Sequence, residues 1–280
     1  MSDKHRPPAL DQPGWRQVAD AFHAYACVLG ALRAALSPRQ KHGWHATLVL
    51  NARGLTPTPI HGPGQAIEAR LDLLDGHVAL LGSDGDAERW YLNGMPARRL
   101  AELVDARVAD WGMNPALAPA DFDDVTLGAG SQRASRDLFG ALRWSDALLK
   151  ALKSRQSHET SPVQLWPQPF DLALLWLSGG RVTDPAAPKH AHEHEADDEQ
   201  MHFGFSVGAG TERPFYYVTC YPAGGRFPRV ELPPWARAAA AGLTGVRVDY
   251  DALRNLADPF GSLLELFELL RSDGAAMMTF

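Results

Sequence analysis

Residues 66–92 read AIEARLDLLDGHVALLGSDGDAERWYL, and this stretch is the clearest indication of the fold class. It contains three short apolar segments separated by Asp-Gly pairs at 75–76 and 84–85. The segments cover 66–73, 77–82 and 88–92. Asp-Gly pairs between short alternating runs are typical of β-hairpin turns. The stretch therefore predicts an antiparallel meander rather than the parallel strands of a βαβ unit.

Long amphipathic segments flank the meander on both sides. Apolar residues recur at three- and four-residue steps from Trp15 to Leu36, which predicts one helix ending before Ser37-Pro38. The same pattern predicts helices at 96–111, 131–153 and 258–270, and further strands at 44–50, 163–166, 172–177, 201–207 and 214–221. The fold class that follows is α+β, with an extended, mainly antiparallel sheet backed by long helices.

The order of helix, strands and helix occurs in both halves of the chain. We therefore predict two related helix–sheet–helix lobes, at 15–111 and 131–280, after a flexible segment 1–14. The Ala-, Pro- and Gly-rich stretch 112–130 is the expected linker. A single continuous domain over 15–280 is the alternative, because a chain of this length can bury a core either way.

Composition narrows the classes of partner. The formal net charge of −6 argues against a general nucleic-acid binder, which needs surplus Lys and Arg on one face. No apolar run approaches the roughly 18 residues of a membrane span, and the N-terminus lacks the apolar core of a signal peptide. Cys27 and Cys220 are the only cysteines, which suits a reducing cytosol. We expect a cytoplasmic protein without nucleic-acid or membrane partners.

The densest set of metal-ligand side chains lies in an acidic histidine tract. It contains His190, His192 and His194 among glutamates and aspartates. Imidazoles and carboxylates suit transition metals, but this spacing matches no defined metal motif. We predict that 182–200 is an exposed polar loop that binds metals weakly.

Two other segments carry a family resemblance. Residues 41–45 read KHGWH, and residues 161–173 read SPVQLWPQPFDLA. They resemble the N-H-W-W-H and S-P-V-H…F-D-L-A signatures of the bacterial family of unknown function DUF5996. The resemblance implies membership of this family, but it implies no biochemical activity because the function of the family is unknown. It matches His42, His45 and Asp171 to family residues, matches Glu199 to the glutamate of a family His-Glu pair, and puts Gln164 where the family has histidine.

These residues supply the candidate site. We predict catalytic roles for His42, His45, Asp171 and Glu199, since imidazoles beside carboxylates can run acid–base chemistry near neutral pH. A divalent metal is a candidate cofactor, with His42, His45 and Glu199 as ligands. The expected ligand-binding residues are Trp44, Gln164, Trp166 and Tyr217. The structural alternative makes the histidines a hydrogen-bonded pair at a strand entry and Asp171 a hydrogen-bond hub.

Two functions remain open from the sequence. The chain is either a metalloprotein or enzyme with a His/carboxylate cleft that takes a small molecule, or a non-catalytic module that binds a small ligand or a partner. Convergence of His42, His45, Asp171 and Glu199 would favour the first function, and dispersal would favour the second. The sequence does not predict the oligomeric state.

Overall fold

The computed structural model describes residues 6–182, 198–222, 227–239 and 244–278, and it confirms the α+β class. Contacts divide the chain into two compact units. The N-terminal unit comprises Pro8–Arg143 and Gln164–Phe170, and the C-terminal unit comprises Met1–Pro7, Trp144–Val163 and Asp171–Phe280. The lobe boundaries proposed from the sequence stay a prediction.

The N-terminal unit contains the predicted meander. Its helices are α1 (Trp15–Leu36), α2 (Ala97–Asp110) and the beginning of α3 (Gln132–Ser154). Its strands are β1 (Val49–Leu50), β2 (Gly54–Thr56), β3 (Ile60–His61), β4 (Ala66–Asp72), β5 (His77–Gly82), β6 (Ala87–Tyr91) and β7 (Gln164–Trp166). The antiparallel order is β1-β2-β4-β5-β6, with β3 also paired to β4. Both Asp-Gly pairs lie in the hairpin turns that join β4, β5 and β6, as predicted.

The two faces of this sheet differ in chemistry. Ile67, Ala69 and Leu71 alternate along β4 and are buried, as are Val78 and Leu80 on β5. Because α1 packs against β3, β4 and α2, these residues form part of the core. The opposite face carries charged side chains, which places the unit's polar groups together on one surface of the sheet.

The predicted strand at 44–50 is wrong over most of its length. Residues Lys41–Ala46 form a short 3₁₀ helix, and β1 begins only at Val49. His42 and Gly43 have φ values of 56° and 68°, a left-handed backbone that no regular strand contains. The apolar pattern from Trp44 onward reflects a half-buried 3₁₀ turn rather than a strand entry.

The C-terminal unit is a second antiparallel sheet. Its strands are β8 (Asp171–Arg181), β9 (Asp198–Ser206), β10 (Phe215–Tyr221), β11 (Ala236–Ala238) and β12 (Gly245–Asp249). They lie in the order β11-β12-β10-β9-β8. The unit also contains the end of α3, the short α4 (Tyr250–Arg254) and α5 (Pro259–Ala275), which packs against β9 and β10. The Asp258 carboxylate accepts the Gly261 N–H at 3.0 Å and so caps the N-terminus of α5.

The predicted loop 182–200 is too long at its C-terminal end. Strand β9 starts at Asp198, and both Asp198 and Glu199 are buried strand residues. The start of this strand was not predicted because its first two residues are acidic, and carboxylates are depleted in strands and rarely buried. His190, His192 and His194 lie outside the described residues. Within the described ranges, no helix is long and apolar enough to cross a membrane.

Candidate functional site

The β4–β5 hairpin brings together two carboxylates and an imidazole. Asp72 and His77 are register partners at the end of the hairpin, so their side chains lie on the same face of the sheet. Asp75 belongs to the turn between them. One potential ligand atom from each of these three residues lies within 4.8 Å of the other two.

These side chains line a pocket on the polar face of the sheet, with a volume of about 750 Å³. Side chains of both charges surround the three residues, and Leu71, Ala79 and Leu81 add apolar contacts. The charged members of the lining are Arg53, Glu68, Arg70, Glu88 and Arg89. A pocket of this size with a few convergent polar groups is the usual form of a small-molecule site.

Arg53 links the two carboxylates. Its Nε donates to Asp72 Oδ2, and its Nη2 donates to Asp75 Oδ2 at 2.5 Å. The backbone N–H groups of Leu74 and Asp75 donate to Asp72 Oδ1 at 2.9 and 2.8 Å. Burial alone would raise the pKa of Asp72, but the hydrogen bonds from Arg53 and the backbone outweigh it and lower the pKa. Asp72 is therefore ionised at neutral pH.

His77 contributes one ring nitrogen to the cluster. The residue is 9% exposed, and its Nδ1 is buried without a hydrogen-bond partner. Burial lowers its pKa from the ordinary value of 6.5, so the ring is unprotonated at neutral pH. A neutral imidazole with a free lone pair is the form of histidine that binds metals.

Two carboxylates and one imidazole form a mixed oxygen and nitrogen donor set. Carboxylates suit Mg²⁺ and Mn²⁺, and imidazole suits Zn²⁺ and Fe²⁺, so the combination fits Mn²⁺, Fe²⁺ or Zn²⁺ best. Arg53 holds the carboxylate oxygens that such an ion would need. Because its side chain is 49% exposed, it can leave the carboxylates for solvent without disturbing the core.

The predicted histidines lie elsewhere in the same unit. His45 Nδ1 accepts a hydrogen bond from the Gln40 N–H at 3.2 Å. This contact agrees with the alternative prediction, in which the histidines form hydrogen bonds that stabilise the local structure. The His42 ring is tilted against the Trp44 ring, with centroids 5.8 Å apart. Both residues belong to the 3₁₀ helix rather than to a strand entry. Their assignment to a metal or catalytic site stays a prediction.

Three predicted ligand-binding residues also belong to the N-terminal unit. Gln164 is buried on β7, with its Oε1 2.8 Å from the Thr47 Oγ1. The Trp44 carbonyl lies 2.9 Å from the same Oγ1, and Trp166 is half-buried at the end of β7. Gln164 and Trp44 therefore meet through Thr47.

The three remaining predicted residues lie in the C-terminal unit, and two of them, Asp171 and Tyr217, contact each other. The Tyr217 hydroxyl on β10 donates to Asp171 Oδ2 on β8 and passes over Gly204 on the intervening β9. A Cβ at Gly204 would lie 2.6 Å from the Tyr217 Cε1, so only glycine leaves room for the ring. Burial raises the pKa of Asp171 to about 6, although the Tyr217 hydrogen bond acts in the opposite direction.

Asp171 and Glu199 do not share a cleft. Asp171 pairs with Ser206, and Glu199 is seven positions from Ser206 along β9, an odd number that puts it on the opposite face. Seven strand residues also span about 23 Å. On its own face, Glu199 Oε2 accepts a hydrogen bond from Ser178 at 2.7 Å. The sheet therefore separates these two carboxylates.

Asp72, Asp75 and His77 are not among the site residues predicted from the sequence. The segment DLLDGH at 72–77 was used only for its Asp-Gly turn signal. This segment has one carboxylate before a four-residue turn, a second carboxylate within the turn and a histidine directly after it. Such a local pattern can bring three metal-binding side chains together. Because the ends of a hairpin face each other, this pattern could have identified the trio without any long-range information.

Comparisons with known proteins identify the family of the chain but indicate no biochemical activity. A model described as a family of unknown function (DUF5996) matches residues 7–279. No curated protein matches the chain. No solved structure matches it either.

Proposed function

The chain belongs to the DUF5996 family, whose function is unknown, and we propose that it is a metalloprotein that binds a divalent cation in the hairpin pocket. The ligands in this proposal are Asp72, Asp75 and His77. The observation that carries it is the convergence of one potential ligand atom from each of these three residues, within 4.8 Å of one another, in a pocket of about 750 Å³. This places the proposed metal at residues different from His42, His45 and Glu199.

The pocket supports a bound substrate beside the ion. A cation held by three protein ligands keeps open coordination positions, and the cavity leaves space for a small molecule. Arg70 and Arg89 line the same cavity and offer donors to an anionic substrate. The proposed function is therefore metal-assisted binding or conversion of an anionic molecule that is small enough to fit in the cavity.

Equilibrium dialysis of untagged protein against Mn²⁺ and Zn²⁺ tests this proposal. We expect one ion per chain and a loss of affinity of about a hundredfold in His77→Gln and Asp75→Asn, because each removes one of three ligands. The matched control is Asp84→Asn, which removes the same charge from the neighbouring hairpin turn outside the pocket. Equal affinity in Asp75→Asn and Asp84→Asn would overturn the proposal.

A second candidate function rests on the Asp171–Tyr217 pair. A carboxyl with a pKa of about 6 can exchange protons near neutral pH, and Tyr217 orients it. In this proposal Asp171 acts as a general acid–base, independently of the hairpin pocket. The test is the pH profile of any activity found for the protein. Asp171→Asn should abolish the limb near pH 6, and an unchanged limb would refute the role.

Localisation is proposed on chemical grounds. Cys27 and Cys220 are both free thiols. Burial raises the pKa of Cys27 to about 11 and that of Cys220 to about 12, so neither is a reactive thiolate. Two unreactive reduced cysteines support the proposed cytoplasmic location.

A further inference from the structure

Arg33 is a buried cation without a carboxylate partner among the described residues. It lies on α1 and is 7% exposed. Its Nη1 donates to the Thr47 carbonyl oxygen and to Thr47 Oγ1, the latter at 3.0 Å. A guanidinium stays protonated at any physiological pH, so neutral acceptors alone must offset a large desolvation cost.

Three buried N–H groups without acceptors belong to residues that contact Thr47. They are the Nε of Arg33, the Nε1 of Trp44 and the Nε2 of Gln164. Trp44 and Gln164 both contact Thr47, through the Trp44 carbonyl oxygen and the Gln164 Oε1. All four residues belong to the N-terminal unit. We define them as the Arg33 cluster.

Orphaned donors of this kind are rare in folded proteins, because a buried donor without a partner has lost its hydrogen bonds to water and gained none in return. Orphaned donors on three residues that contact the same threonine call for an acceptor that the described protein atoms do not supply. A neutral acceptor would satisfy the hydrogen bonds and leave the Arg33 charge uncompensated. An anion satisfies both requirements at once.

We infer that the Arg33 cluster binds a small oxyanion, a carboxylate or a phosphate, through Arg33, Trp44 and Gln164. The planar guanidinium donates to one or two oxygens, and the indole and amide N–H groups donate to the others. The cluster does not overlap the lining of the hairpin pocket. The inference therefore stands independently of the proposed metal site.

Thermal unfolding of the full chain in chloride, acetate and inorganic phosphate at constant ionic strength tests the inference. Acetate or phosphate should raise the Tm in a saturable way. The oxyanion that gives the larger increase shows whether the site prefers a carboxylate or a phosphate. Gln164→Glu supplies a carboxylate inside the cluster. It should raise the Tm in chloride and abolish the saturable response to both oxyanions.

Two further variants keep the test decisive. Gln168→Glu adds the same charge at an exposed position just after β7, and it should keep the wild-type response. Trp44→Phe removes one donor while it keeps an aromatic ring, and it should weaken the affinity about tenfold. A wild-type Tm that is insensitive to both oxyanions would overturn the inference. An equal response in wild type, Gln164→Glu and Trp44→Phe would also overturn it.

Discussion

Asp72 and His77 lie directly opposite each other where β4 and β5 meet their connecting turn, with both side chains on the polar face of the sheet. The backbone pairing of the hairpin fixes their separation, so no distant element is needed to assemble the site. Asp75 joins them from the turn, and Arg53 holds its carboxylate and that of Asp72. The hairpin thus positions three ligand groups before any ion binds.

Arg53→Gln should increase metal affinity while it lowers the stability of the metal-free protein. The guanidinium competes with a cation for the Asp72 and Asp75 oxygens, and its removal leaves two unscreened carboxylates. We expect at least a tenfold gain in affinity by dialysis and a lower free energy of unfolding for the metal-free protein. A lower affinity in Arg53→Gln would contradict the proposed ligand set.

Gly204→Ala should destabilise the C-terminal unit. The added methyl group would overlap the Tyr217 ring, and displacement of the ring breaks its hydrogen bond to Asp171. Overpacking of this kind costs about 1–3 kcal/mol, measurable by urea denaturation. Gly128→Ala is the control, because nothing lies within 4 Å of a Cβ there. Equal stability of the two variants would refute the close approach of Tyr217 to Gly204.

Asp171→Asn should change how stability depends on pH. The folded pKa of about 6 lies above the ordinary 3.8, so the folded state binds the proton more tightly. Stability therefore falls as pH rises from about 4 to 6, by at most about 3 kcal/mol. The asparagine variant should lose this decline. A decline of the same size in Asp171→Asn would show that another group titrates in this window.

Tyr25→Phe should destabilise the N-terminal unit by about 1–3 kcal/mol. The buried hydroxyl donates to the Met95 carbonyl oxygen at 2.6 Å and accepts the Leu127 N–H at 3.1 Å. The phenylalanine leaves these backbone groups unpaired. Tyr91→Phe is the matched control, because Tyr91 is 63% exposed and should tolerate the change. No difference between the two variants in thermal denaturation would contradict a structural role for the Tyr25 hydroxyl.

Local patterns predicted the elements of the fold well. Helical periodicity gave α1 from Trp15 to Leu36, and the Asp-Gly pairs gave the β4–β5–β6 meander, because both signals depend on near neighbours. The 3₁₀ helix at Lys41–Ala46 was missed, since its apolar residues serve a turn that a distant Arg33 stabilises. Such long-range contacts leave no periodic trace in the sequence.

The candidate site was less predictable than the fold. The contact of Asp171 with Tyr217 depends on a three-strand register that no local pattern encodes, although both residues had been singled out. Glu199 was selected by family resemblance, and its place on the opposite sheet face follows from strand alternation once the register is known. In contrast, the Asp72–His77 pair is local, and only its chemistry went unnoticed.

The imidazole ¹⁵N chemical shifts of His77 during a Zn²⁺ titration test the central claim most directly. Metal coordination replaces a nitrogen lone pair, so the ring signals should shift and saturate at one ion per chain. We predict that this shift is present in the wild type and in Asp84→Asn, and that it is lost at the same Zn²⁺ concentration in Asp75→Asn. An unperturbed His77 ring in the wild type at saturating Zn²⁺ would contradict the account.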